Sequence, residues 1–95
     1  MPNAVPDLVW TRAARADLLA MVSYIAEDNP VAAQALVDSI RTKAARLTET
    51  PRLYRVGRVD GTREMVVRRR YVVVYRHDAA TVTILRVLHT AQHWP

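Results

Sequence analysis

Two periods divide the chain. Up to about residue 50 the apolar positions return every three or four residues, and beyond residue 52 they alternate or run together as valines, tyrosines and threonines. Leu8-Val9-Trp10 is a short apolar run that ends at Thr11, a residue with the side chain to cap a helix. Leu18, Val22 and Ile25 then recur at i, i+4 and i+7, which predicts an amphipathic helix over residues 12–27. Asn29-Pro30 supplies a cap and a first-turn proline for a second helix. Its stripe is Ala33, Leu36, Val37, Ile40, Ala44 and Leu47, and it should stop before Pro51. Two amphipathic helices with so short a join favour an antiparallel hairpin.

After Arg52 the pattern is that of strands. Arg63 to Arg69, Tyr71 to Arg76 and Thr81 to Leu88 read as successive antiparallel strands, the last two joined through His77-Asp78-Ala79-Ala80. Asp60-Gly61 marks a turn between Val59 and Thr62. The expected fold class is α+β, with a short N-terminal strand and a two-helix antiparallel hairpin. The hairpin packs on one face of a small, mainly antiparallel C-terminal sheet of three to four strands. Period 2 places Tyr71 and Tyr75 on one face and Val72 and Val74 on the other. Trp10 is expected to cap the core against the helices. Trp94 either folds back as an anchor or stays exposed for a partner.

Composition narrows the class. A chain of 95 residues without a linker-like tract or an internal repeat fits one small domain, 1–95, with a modest core that gains further stability from a partner. Apolar residues at 51% and charged residues at 24% argue against disorder. No apolar run approaches the roughly 18 residues of a membrane span. The start Met1-Pro2-Asn3-Ala4 lacks the basic and apolar regions of a signal peptide. With no cysteine there is neither disulfide nor thiolate zinc, which accords with a cytoplasmic location. The three histidines lie apart, without a spaced carboxylate cluster, so no metal site and no cofactor are expected.

Charge points to a surface. Residues 1–51 carry five basic and six acidic side chains, whereas 52–95 carry nine arginines against Asp60, Glu64 and Asp78, so the net +5 resolves into −1 and +6. The second half is the expected contact for something anionic, and arginine's planar fork suits phosphate and carboxylate. Arg68-Arg69-Arg70 lies between two apolar strands, as a solvated turn that protects an edge or as an anion-binding patch. Arg63-Glu64 reads as an ion pair or exposed strand pair, or as a catalytic base and phosphate clamp; because adjacent residues face opposite ways in a strand, the alternative is that Glu64 meets Arg76 or Arg86 across the sheet.

In order and spacing, several segments together resemble the RelE/ParE superfamily of bacterial toxin–antitoxin toxins, most closely its ParE-like branch. They are Trp10, Asp17-Leu18, Tyr24-Ile25-Ala26, Asn29-Pro30, Ala32-Ala33, Leu47-Thr48-Glu49-Thr50-Pro51 and Gly57-Arg58-Val59. Gly61-Thr62-Arg63-Glu64, Tyr71-Val72-Val73-Val74-Tyr75-Arg76, Ile84-Leu85-Arg86-Val87-Leu88-His89 and Gln92-His93-Trp94-Pro95 complete the set. The superfamily has members that cleave messenger RNA on the ribosome and members that poison DNA gyrase, and fold alone does not separate them. The ribonuclease branch needs groups that deprotonate a ribose 2′-hydroxyl, stabilise a phosphorane and protonate the leaving oxygen. One of its arginines lines up with Val72, which cannot do that work. His89 or His93 stands only partly for its C-terminal tyrosine or histidine.

The resemblance therefore implies first a toxin that blocks growth through gyrase without catalytic residues of its own. Its target contacts would be Arg68, Arg69, Arg70, Arg86, His89, His93 and Trp94. The second implication is a ribosome-dependent ribonuclease, with Arg63, Arg86 and His89 converging on one phosphate. Strand alternation turns Arg86 and His89 to opposite faces unless the strand bulges between them. The third is an inactive relative that keeps antitoxin binding and autoregulation. In each case the implied partner is an antitoxin whose acidic and apolar C-terminal segment wraps the helical hairpin, in the grooves beside its two helices, and reaches the basic sheet to meet Arg58, Arg63, Arg76 and Trp94. Operator DNA would be reached only through that antitoxin.

Overall fold

Thr11 ends one element and begins the next with a single side chain. Its Oγ1 accepts from the Ala14 backbone N–H at 3.0 Å, which caps the first helix, and donates to the Leu85 carbonyl at 2.8 Å, which ties that helix to the last strand. The computed structural model describes residues 5–95, so the Met1-Pro2-Asn3-Ala4 start lies outside the described residues. The elements run β1 (Asp7–Trp10), α1 (Arg12–Ala26), α2 (Pro30–Arg46), β2 (Arg55–Val56), β3 (Arg63–Val67), β4 (Tyr71–His77) and β5 (Thr81–His89). Asn29 caps α2 by accepting from the Ala32 N–H at 3.0 Å, and Lys43 and Arg46 lie in its last turn, where cations complement the helix dipole.

The sheet has five strands in the order β1-β5-β4-β3-β2, antiparallel except where β1 lies parallel beside β5. Its C-terminal part is the expected meander with a short β2 added, and the N-terminal strand joins the same sheet rather than standing apart. A parallel neighbour requires a long connection, and here the helical hairpin carries the chain from β1 to β2 at the opposite edge, from which β3 and β4 lead back to β5. Between β4 and β5 the register shifts at Val74/Tyr75, where Val74 pairs with Arg86 and Tyr75 with Ile84. Leu85 is the extra residue of that bulge.

The face toward the helices holds the main core. Met65, Val67, Val73, Tyr75, Ile84 and Val87 meet Leu18, Leu36, Ile40 and Ala44, with Trp10 and Tyr71 packed at the margin. Burial pushes the Tyr75 phenol above its ordinary pKa of 10.0, and its hydroxyl donates to the Pro51 carbonyl at 2.6 Å. Tyr75 therefore serves as a core strut that fastens the segment after α2. The opposite face carries only a small apolar cluster of Val72, Val74 and Leu88, with Leu85 and Trp94 against it.

One expected boundary moves. The strand read as Arg63 to Arg69 ends at Val67, because Arg68 and Arg69 adopt φ values of 52° and 64° and close the hairpin. Turns with positive φ at two positions favour Asn-Gly, because a Cβ there crowds the following carbonyl oxygen at about 1–2 kcal/mol per residue. Gly57 has a different reason to be glycine. Its N–H donates to the Thr62 carbonyl at 2.8 Å, and an added Cβ would lie 3.2 Å from the Thr62 backbone and collide with its hydroxyl.

Candidate functional site

The helix-free face of the sheet is ordered by two carboxylates. Glu64, on the open face of β3, has a side chain only 1% exposed, and its oxygens accept from Arg55 Nη2 at 3.0 Å, Arg58 Nε at 3.1 Å and Arg58 Nη2 at 3.2 Å. The Arg58 backbone N–H adds a fourth bond at 2.9 Å. Burial alone raises the Glu64 pKa, and the bonds from Arg58 and Arg55 outweigh it, holding the carboxyl below its ordinary 4.5. Glu64 is thus an ionised structural acceptor. Its partners correct the expected cross-sheet pairing with Arg76 or Arg86: the β2 strand and the Gly57-Arg58 turn bring Arg55 and Arg58 closer than the neighbouring strands bring any cation.

The second carboxylate works at the edge of β5. Beyond Trp10 the strand loses its β1 neighbour, and α1 reaches in instead. Asp17 accepts from Arg86 Nε at 2.7 Å and Arg86 Nη2 at 2.8 Å, and its Oδ2 also accepts from the Val87 N–H at 2.9 Å. With the Thr11 hydroxyl on the Leu85 carbonyl, helix side chains satisfy the backbone of the bulged strand. The bonds from Asp17 outweigh burial and keep the Arg86 guanidinium firmly protonated. That guanidinium also lies over the Trp94 ring, 5.7 Å from its centroid.

The chain after β5 turns back onto this face. The His89 N–H donates to Gln92 Oε1 at 2.7 Å, the Ala91 N–H to His89 Nδ1 at 3.1 Å and the Gln92 N–H to the His89 carbonyl at 2.8 Å. Trp94 reaches Val72, Val74 and Leu88 and leaves its buried indole N–H without a hydrogen-bond partner among the described residues. Of the two alternatives for Trp94, the structure shows the folded-back anchor. His93 is exposed.

The geometry separates the residues of the ribonuclease expectation. Arg86 shares the open face with Val74, whereas His89 meets Tyr71 edge to face, 5.6 Å between centroids, on the helix-side face. Arg63 also has helix-side parity, and its Nη1 donates to the Tyr54 carbonyl at 2.7 Å. Arg63 is level with Tyr75 and His89 with Tyr71, a separation of about 13 Å along the strands at roughly 3.3 Å per residue. The three do not converge, and Val72, at the position of the missing arginine, is buried.

Other expected contacts fall into two groups. Arg76 is exposed and outside the ion pairs found among the described residues, and so are Arg68, Arg69 and Arg70. Arg58, Arg63 and Arg86 are held by intramolecular partners. Of the grooves expected beside the helices, one of about 890 Å³ lies between β1 and the helical hairpin. Leu8, Trp10, Leu18, Leu19 and Val37 line it, with Arg15 and Arg41. Its signal in the sequence was Leu19, an apolar residue off the stripe of α1 that is 68% exposed. Among the described residues no three metal-ligating side chains cluster, and no helix is long and apolar enough to cross a membrane.

Over residues 8–94 the chain matches the family described as the ParE toxin of the type II toxin–antitoxin system parDE. The chain belongs to this family. It is 39% identical over 87 residues to putative toxin Y4kP of Sinorhizobium fredii, covering 90% of each chain. It is 38% identical over 86 residues to toxin RelE2 of Caulobacter vibrioides, covering 90% of this chain and 97% of that one. Among solved structures, the chromosomal ParDE TA system from P. aeruginosa superposes with a TM-score of 0.80 at 26% identity, covering 90% and 96% of the two chains. The toxin–antitoxin complex RelBE2 from Mycobacterium tuberculosis gives 0.59 at 27% identity, covering 96% and 98%. The two-helix, mixed-sheet fold is that of ParE and RelE toxins.

Proposed function

We propose that this ParE-family chain arrests growth by binding DNA gyrase, with no bond-breaking chemistry of its own, and that a cognate antitoxin neutralises it. The observation that carries the reading is the dispersal of Arg63, Arg86 and His89. Two of them face the helices and the third is locked to Asp17, so no general acid, base and phosphate clamp meet at one point. A binding mode needs only a shaped surface, which the open face and its Trp94 cover provide. Gyrase as the target comes from the likeness to the ParE branch. Supercoiling and DNA-cleavage assays with purified chain and gyrase test it, with loss of supercoiling or accumulation of cleaved DNA expected. Unchanged gyrase activity at toxin excess would overturn it.

The 38% identity with toxin RelE2 favours one second reading, ribosome-dependent cleavage of messenger RNA. Primer extension on translated messages decides between the two: codon-positioned 5′ ends would replace the gyrase reading, and their absence would remove the ribonuclease. For the antitoxin, the groove beside β1 fits an amphipathic acidic segment, with its apolar face on Trp10, Leu18 and Val37 and its carboxylates toward Arg15 and Arg41. Hydrogen exchange with the genomically adjacent partner should protect α1, α2 and residues 52–95. No added protection in any of them would reject the wrapping.

A further inference from the structure

We infer that the Arg68-Arg69-Arg70 tip of the β3–β4 hairpin is a phosphodiester-binding finger that grips the backbone of a DNA double helix. The contact is argued from the tip alone, and its role in trapping a gyrase–DNA state rests on the reading above.

The first observation is conformational. Arg68 and Arg69 both occupy the left-handed region, at φ 52° and 64°, in a turn where Asn or Gly would be unstrained. Local strain retained on charged side chains points to a use for those side chains that the turn itself does not require. The second is electrostatic. The ion pairs among the described residues join Arg55 and Arg58 to Glu64 and Arg86 to Asp17, and none involves the tip. All three tip residues are exposed, and among the described residues their one side-chain hydrogen bond is Arg68 Nη2 to the Ala35 carbonyl, at a marginal 3.5 Å. The third is rigidity. The Arg70 N–H donates to the Arg68 carbonyl at 2.7 Å and the Arg70 carbonyl accepts from the Thr90 N–H at 2.7 Å, so the backbone that presents the guanidinium groups is fixed to β5.

The density of charge favours one ligand. The chain leaving β5 next to the tip, from Thr90 to His93, is exposed and small or polar, and the exposed apolar side chains nearby are Val66 on β3 and Val31 on α2, beyond the Ala35 contact. A single strand is held by stacking on free aromatic faces, and the nearby Tyr71 and His89 rings are engaged with each other. Three adjacent guanidinium groups, outside the ion pairs among the described residues, match closely spaced duplex phosphates.

The test is titration of a fluorescent 20-base-pair duplex with the full chain, without gyrase, over a range of salt. The variant Arg68→Asn/Arg69→Gly/Arg70→Gln relaxes the turn, so its Tm should rise while its duplex affinity falls about 100-fold at 0.1 M salt. Its plot of log affinity against log salt should be shallower by about 2 to 3, the release expected for three phosphates. The triple lysine variant keeps the charges and should keep the slope. Arg12→Gln/Arg46→Gln/Arg52→Gln removes the same charge from exposed positions elsewhere and should leave the slope nearly unchanged. An unchanged slope in the tip variant, an equal loss in the control variant, or no duplex binding by the parent chain overturns the inference. So does a tip-dependent preference for polyglutamate or single-stranded RNA over the duplex, which would reassign the tip to a protein or RNA partner. Because gyrase is absent from the titration, its failure and a failure of gyrase inhibition are read separately.

Discussion

The two faces of the one sheet are stabilised by different physics. Toward the helices, Met65, Val67, Val73, Tyr75, Ile84 and Val87 bury apolar surface against α1 and α2, a non-directional gain that grows with area. On the open face, Val72, Val74 and Leu88 form a small patch between two charge clusters, Glu64 with Arg55 and Arg58, and Asp17 with Arg86. There the stabilisation depends on each donor meeting its acceptor. The first face should answer to substitution in proportion to the volume removed. The second should answer asymmetrically, because loss of one partner leaves the other unsatisfied.

The largest expected effect is on the helix side. Ile40 is fully buried, and Ile40→Ala should cost about 3–4 kcal/mol, read from the urea midpoint with an unchanged slope. A loss below about 1 kcal/mol would mean that this face collapses around cavities and is not the rigid one. On the open face, Glu64→Gln removes a buried charge and turns one of its two accepting oxygens into a donor that faces arginine, which should cost about 2–3 kcal/mol. Its pH dependence identifies the cause. The Glu64 pKa is depressed in the fold, so its contribution is fully present above the unfolded value near 4.5 and is lost as pH falls through the lower folded value. The stability gap between the parent and Glu64→Gln should therefore narrow in acid below about pH 4.5, whereas the Ile40→Ala gap should keep its size. A Glu64→Gln gap that is flat with pH would show that shape, not charge, is what Glu64 supplies.

Next in size is the β5 edge. Asp17→Asn keeps the shape but weakens three bonds and should cost about 1.5–2 kcal/mol. In a double-mutant cycle with Arg86→Gln the two losses should couple by about 1 kcal/mol or more. Additive losses would separate the backbone role of Asp17, at the Val87 N–H, from its pairing with Arg86.

How much of this was legible in the sequence follows the same division. The helix stripes, Thr11 and Asn29 as caps, and the opposite facing of Tyr71 and Tyr75 against Val72 and Val74 are written in periods that are local to each element. Parity also foretold that Arg86 and His89 would face apart, since the bulge at Leu85 falls before Arg86 and not between the two. The partner of Glu64 was misread because it depends on a two-residue strand, β2, too short to leave a pattern. The clasp of Asp17 on Arg86 joins residues 69 positions apart across a parallel pairing, and no sequence period reports such a contact. The Arg68-Arg69-Arg70 turn was placed, but its left-handed backbone was not, for the opposite reason: its residue types contradict its conformation.

The smallest expected effect concerns the C-terminal cover, where the two kinds of stabilisation meet in one side chain. Trp94 buries its ring on Val72, Val74 and Leu88 and lies under the Arg86 guanidinium, gains that Trp94→Ala forfeits at about 1–1.5 kcal/mol for a half-buried ring. Against this stands its indole N–H, buried without a partner, which carries a desolvation cost. Trp94→Phe keeps most of the apolar contact, weakens the cation–π term and removes the orphaned donor. The two changes oppose each other, so its stability should lie within about 0.5 kcal/mol of the parent. Matched urea titrations of the two variants, followed by circular dichroism because the substitution removes a fluorophore, give the comparison. If Phe loses as much as Ala, the indole N–H is bonded and the cover belongs with the directional interactions. If Phe is neutral, Trp94 is held by area alone, and the open face has one small region that obeys the rules of the other side.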